Sequence, residues 1–213
     1  MRLVVPLVLA GTVVAGALAI GGTATAHPTS DRSTHTHRVV VRPVDRQGHP
    51  VQGWKVTRER GTSVSCGGAA AAAVSRNIVE CFPAAEYLPS CWKSSHHTVL
   101  CVRDATRHQL VRIRYSGSIG SVSAPKDPAP QDLRLTGGQK CEIRVGGAWA
   151  QLPTHPHWVG FYSCHSGSVY GPAKGDGVDR SAPTWTVQLW LSGTKHHVVT
   201  RDVGTAYFVG THR

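Results

Sequence analysis

Residues 98–115 read TVLCVRDATRHQLVRIRY. Val111, Ile113 and Tyr115 alternate with Arg112 and Arg114. In an extended chain the apolar three share one face and the arginines take the other. TVLCVRD is itself rich in strand-forming residues, so the two runs form a pair across ATRH. The same period of two recurs on both sides. In KCEIRV (140–145), Cys141, Ile143 and Val145 stand against Lys140, Glu142 and Arg144. RVVVRP and VQGWKVTR flank VDRQGHP, whose Gly48 and Pro50 suit a turn. WVGFYSC, TWTVQLWL, HHVVTR and GTAYFVG complete the set. Short alternating runs at this spacing predict an all-β core: a single antiparallel sandwich or distorted barrel of about eight to ten strands. One short helix is expected near Ala69–Val74, in CGGAAAAAVSRN, because alanine is the best helix former. SGSIGSVSAPKDPAPQ (116–131) reads as a long loop inside one domain rather than a linker.

The start of the chain reads as a secretory signal over residues 1–26. Arg2 precedes an apolar run from Leu3 to Ile20, and Ala24-Thr25-Ala26 fits the small-x-small cleavage pattern. The competing reading is an uncleaved anchor, since a spanning helix needs roughly 20 apolar residues. Cleavage leaves a polar, disordered leader over 27–37, a single β-rich domain over 38–213, and no stable membrane insertion. Six cysteines follow the signal: Cys66, Cys81, Cys91, Cys101, Cys141 and Cys164. An even number in an exported chain predicts three disulfides, and their order favours local pairing in sequence. Without a CxxC, zinc binding by these residues has little support.

The chain carries 23 Lys and Arg against 12 Asp and Glu, a formal net charge of +11. Such a balance favours anionic partners such as acidic envelope polymers or lipid headgroups, and the partner expected is an anionic envelope polymer or a protein. No Lys/Arg run of the nucleic-acid type occurs, which argues against nucleic acid as the partner.

Thirteen histidines invite a metal reading. His155 and His157 form an H-x-H unit, and an extended backbone would turn both rings to one metal, with His165 near if 158–164 is a hairpin arm. His27, freed by cleavage after Ala26, resembles the copper-binding amino terminus of oxidative polysaccharide-cleaving enzymes. It begins a polar leader, however, and Pro28 lacks the amide that chelation through successive backbone nitrogens requires. No G-x-S-x-G, G-D-S-G-G or H-E-x-x-H occurs, and no cofactor is expected. Asp176 and Asp179, in GDGVDR, read as turn formers or partners of Arg180. In TWTVQLWL, Trp190 and Gln188 lie on the polar face, opposite Val187 and Leu189. With the outward Arg112 and Arg114, they are the candidate ligand-binding residues.

NIVECFPAAEYLPSCWKSSHHTVLCVRD, GGAWA, WVGFYSC, DRSAPTWTVQL and TAYFVGT together resemble a family of exported actinobacterial proteins with no assigned activity. The resemblance spans roughly Cys66 to Thr211 and rests on cysteines, tryptophans and glycines. It implies export, disulfides and a bacterial envelope setting. The function expected is a secreted or envelope-associated, non-enzymatic, disulfide-stapled binding module. The alternative is a secreted enzyme of unknown reaction, metal-assisted through the histidines.

Overall fold

A computed structural model describes residues 35–82, 88–144, 149–192 and 197–213. The signal expected over residues 1–26, His27 and most of the leader expected over 27–37 lie outside those residues, as does His196. Thirteen strands follow in order: β1 His37–Asp45, β2 Lys55–Ala69, β3 Val79–Phe82, β4 Leu88–Ser94, β5 Thr98–Asp104, β6 Gln109–Ser116, β7 Asp132–Leu135, β8 Lys140–Ile143, β9 Trp158–Cys164, β10 Gly167–Pro172, β11 Val178–Asp179, β12 Thr186–Leu191 and β13 Val198–His212. The all-β expectation holds, and it is realised as two closed sheets within one compact unit, Arg32–Arg213.

The first ring is β2-β3-β4-β5-β6. Consecutive strands pair antiparallel, and β2 closes on β6 in parallel. Parallel closure follows from the count, because the first and last strands of a five-strand meander run the same way. The second ring runs β7-β8-β9-β10-β12-β13 and closes antiparallel, as an even count must. β12 and then β1 pair in succession along β13, with β1 parallel. The expectation of an entirely antiparallel sheet is thus corrected at two pairings.

Alternation places the predicted faces correctly. Val111, Ile113 and Tyr115 are buried inside the first ring with Val64, Val79 and Val99, while Arg112 and Arg114 point outward. Leu133, Tyr162, Val169, Leu189 and Phe208 fill the second ring. A third cluster joins the rings: Val41, Val44 and Val209 pack with Trp92, Leu100, Val102 and Leu110.

Each disulfide links residues directly opposite in an antiparallel pair: Cys66–Cys81, Cys91–Cys101 and Cys141–Cys164. This is the local pairing that the cysteine order favoured. The helix expected at Ala69–Val74 does not form. Ala69 ends β2, the Ala70 amide donates to the Ile78 carbonyl, and Val74 and Val209 exchange into the β13 ladder through Ala72 and Val209 carbonyls. Buried methyls at Ala70, Ala72 and Ala73 let the backbone approach β13 closely, and those tertiary bonds outweigh propensity in a stretch too short to nucleate a helix. The leader is likewise fixed at its end: Thr36 is buried, and β1 begins at His37.

Polar side chains also cross between the rings. Lys140 from β8 pairs with Asp104 from β5 at 2.9 Å and with its neighbour Glu142 at 2.6 Å. Ser90 donates to Gln131 at 2.6 Å, and the Ala105 amide donates to Asp132 at 3.2 Å. Burial pushes the Asp132 carboxyl up to about 7, and nearby Glu142 and Asp104 add to the rise against the opposing pull of Lys140.

Candidate anion-binding site

The outward face of β6 carries Arg112 and Arg114, and the parallel closure brings β2 alongside. Arg58 sits opposite Arg112, and Ser63 opposite Arg114. Between those pairs β2 advances five residues while β6 advances two, so Glu59 to Thr62 bulge out of the ladder. Gly61, at φ +80°, takes a left-handed conformation within that bulge that favours glycine. The result is a groove of about 840 Å³ lined by Arg58, Arg60, Arg112, Arg114, His96 and the hydroxyls of Ser63, Ser95 and Thr98.

Arg112 is held in place. Its Nη1 donates to Ser94 Oγ at 2.8 Å and to Thr98 Oγ1 at 3.1 Å. Partial burial, then repulsion from Arg58, presses its pKa below the usual arginine value. A guanidinium does not lose its proton on this account, so the cost remains until an anion offsets it. The groove's carboxylate, Glu59, is engaged by Arg103. Among the described residues, no carboxylate lies within ion-pair distance of Arg58, Arg60, Arg112 or Arg114. Among the described residues, four cations converge there with no carboxylate paired to them.

A second groove of about 860 Å³ carries Arg46, Arg76 and Lys93, with Ser95 common to both. Its Asp45 carboxylate is committed to its own turn, accepting the amides of Gln47 at 2.9 Å and His49 at 2.8 Å. Those amide bonds, chiefly that from His49, hold Asp45 below the ordinary carboxylate value.

Trp190 and Gln188 do not join Arg112 and Arg114. They sit on β12 in the other ring, and strand alternation alone cannot tell which ring a strand enters. Gln188 accepts from Thr200 Oγ1 at 3.3 Å, and half-buried Trp190 meets Tyr170 edge-on at 6.0 Å. Tyr170 in turn meets Trp149, which lies against Gly160 and beneath the Arg144 guanidinium. This row is packed by the Trp149 segment rather than left open as a platform.

The extended backbone expected at His155 and His157 does not form. Trp158 N donates to the His155 carbonyl at 3.0 Å, so 155–158 is a turn, with Pro156 at the position that favours proline. The His155 ring lies tilted against Trp158, centroids 4.0 Å apart, and His165 lies at the far end of β9, roughly 20 Å along the strand. Among the described residues, the one cluster with three ligand atoms within 4.8 Å is Cys81, Cys91 and Cys101, all committed to disulfides. Asp176 pairs with Arg180 and caps its own turn through the Val178 amide, as turn formers do.

No helix among the described residues is long and apolar enough to cross a membrane. Comparison of the chain with protein-family profiles, curated proteins and solved structures found no match. The residues missed in the sequence were Arg58, Arg60 and His96. KVTRER does alternate, placing Arg58 and Arg60 two apart, but only the closure of β2 on β6 sets them beside Arg112.

Proposed function

We propose that this protein is an exported, non-enzymatic binding module that holds an anionic polymer of the bacterial envelope or extracellular space in the arginine groove of its first ring. The observation that carries this reading is the convergence of Arg58, Arg60, Arg112 and Arg114 around a carboxylate already taken by Arg103. Guanidinium forks match oxyanions in geometry and charge, and the flanking hydroxyls add donors. Three disulfides suit an oxidising compartment, and the signal-like start over residues 1–26 and the resemblance to exported actinobacterial proteins support the envelope setting.

Dextran sulfate binding, measured by titration across salt concentrations, tests the reading. Affinity is expected to fall steeply with salt, and Arg58→Ser with Arg114→Ser is expected to weaken it by about tenfold or more. Arg42→Ser with Arg201→Ser removes equal charge from exposed sites outside the grooves. If that control weakens binding as much as the groove variant, net charge alone explains the binding and the site is wrong.

A further inference from the structure

The two basic grooves meet at one corner. Ser95, in the β4–β5 turn, lines both. Its neighbour Ser94 accepts Arg112 Nη1 from the first groove at 2.8 Å and donates to the Gly48 carbonyl in the wall of the second at 2.6 Å. That wall sits tightly on the strand. Gly48 has φ +83°, and a Cβ there would stand 2.4 Å from the Lys93 carbonyl oxygen. The two grooves therefore share one corner, bordered by Arg112 and held together by hydrogen bonds.

The ligand chemistry follows from what lines the track. Arg58 and Arg112 stand opposite each other on adjacent strands, about 4.8 Å apart in backbone spacing. Two forks at that separation suit an anion with more than two acceptor oxygens, whereas a lone carboxylate is satisfied by one fork. Among the described residues, no tryptophan, tyrosine or phenylalanine lines the first groove. In the second, Trp92 is buried at 3 % exposure with Nε1 donating to Thr211 Oγ1 at 3.0 Å. Among the described lining residues, neither groove offers an exposed tryptophan, tyrosine or phenylalanine ring of the kind on which single-stranded nucleic-acid binders stack successive bases, and His96 is the first groove's one aromatic ring.

Building on the proposed binding function, we infer that the two grooves form a single track for a flexible, phosphate-rich chain without bases, with the first groove gripping one phosphate cluster and Arg46, Arg76 and Lys93 gripping the next. Triphosphate is short enough to occupy the first groove alone. A long chain engages both, and its gain in affinity comes from the second contact on the same molecule.

The test uses the full, oxidised chain with inorganic triphosphate, and with linear polyphosphate and single-stranded DNA of about 30 units each. Polyphosphate is expected to bind about tenfold or more tighter than triphosphate. Arg46→Ser with Arg76→Ser, both exposed, is expected to remove most of that gain while weakening triphosphate binding far less than it weakens polyphosphate binding. Arg58→Ser with Arg114→Ser is expected to weaken both probes. Thermal melting confirms that each variant folds. If the Arg46/Arg76 variant binds polyphosphate as the parent does, the track is overturned while the first-groove site stands. DNA binding as tight as polyphosphate overturns the base-free assignment. Indifference of every probe to the Arg58/Arg114 variant overturns both this inference and the function on which it rests.

Discussion

Thr36 ties three segments together with one hydroxyl. Its Oγ1 donates to the Val203 carbonyl at 2.7 Å and accepts the Trp185 amide at 2.8 Å, at the point where β1 takes over from β12 along β13. Thr36→Val keeps the shape and orphans both backbone groups, so urea unfolding should show a loss of about 2 to 3 kcal/mol, largely restored in Thr36→Ser. Asp132 acts through its charge. Its folded pKa of about 7 lies above the unfolded value, so the folded state holds the extra proton between roughly pH 4 and 7. Stability should therefore rise as pH falls from 7.5 toward 5, by at most about 1.4 kcal/mol per pH unit. Asp104 works the other way. Burial alone would raise its pKa, but the Lys140, Thr106 and Arg107 bonds hold it low, so its contribution is present above the ordinary carboxylate pKa and is lost below it. Asp132→Asn should flatten the rise between pH 7.5 and 5 in urea midpoints. A slope unchanged by that substitution would remove Asp132 as its source.

Among elements, the β4–β5 hairpin carries most of the arrangement at the site. It supplies Ser94, Ser95, His96 and Thr98 to the grooves, and its strands are tied by Cys91–Cys101 across a separation of 10 residues. His96 and His97 both take positive φ in the turn, and His97 is anchored by stacking on Tyr115 at 4.0 Å. Replacing both cysteines by alanine should cost about 3 kcal/mol from loop closure. Binding by the folded fraction should survive, because closure of the ring by β2 and β6 is untouched. A variant that melts like the parent would show that the ring alone sets the hairpin's stability.

For the whole molecule, the two rings share a core. Val41, Val44 and Val209 of the second ring's β1–β13 edge pack with Trp92, Leu100, Val102 and Leu110 of the first. Neither ring can unfold without exposing that cluster, so tryptophan fluorescence and circular dichroism should report coincident transitions in urea. Two separated transitions would mean that the rings fold independently. The alternation of β6 was legible in VRIRY, and so were the strand character of most segments and the local cysteine pairs. These follow from chain-local physics: a period of two and short loops that bring neighbouring cysteines opposite each other. The fate of the polyalanine stretch was not legible, because its backbone bonds to β13, over a hundred residues away. Trp190 and Arg112 were each correctly read as facing outward, yet they belong to different rings. The sequence by itself determined an all-β, disulfide-stapled, basic chain and the inner and outer faces of its strands. Only the tertiary structure decided that five strands close in parallel, because closure is a property of strand number and twist summed around a ring. That closure sets Arg58 beside Arg112 and turns scattered arginines into a groove.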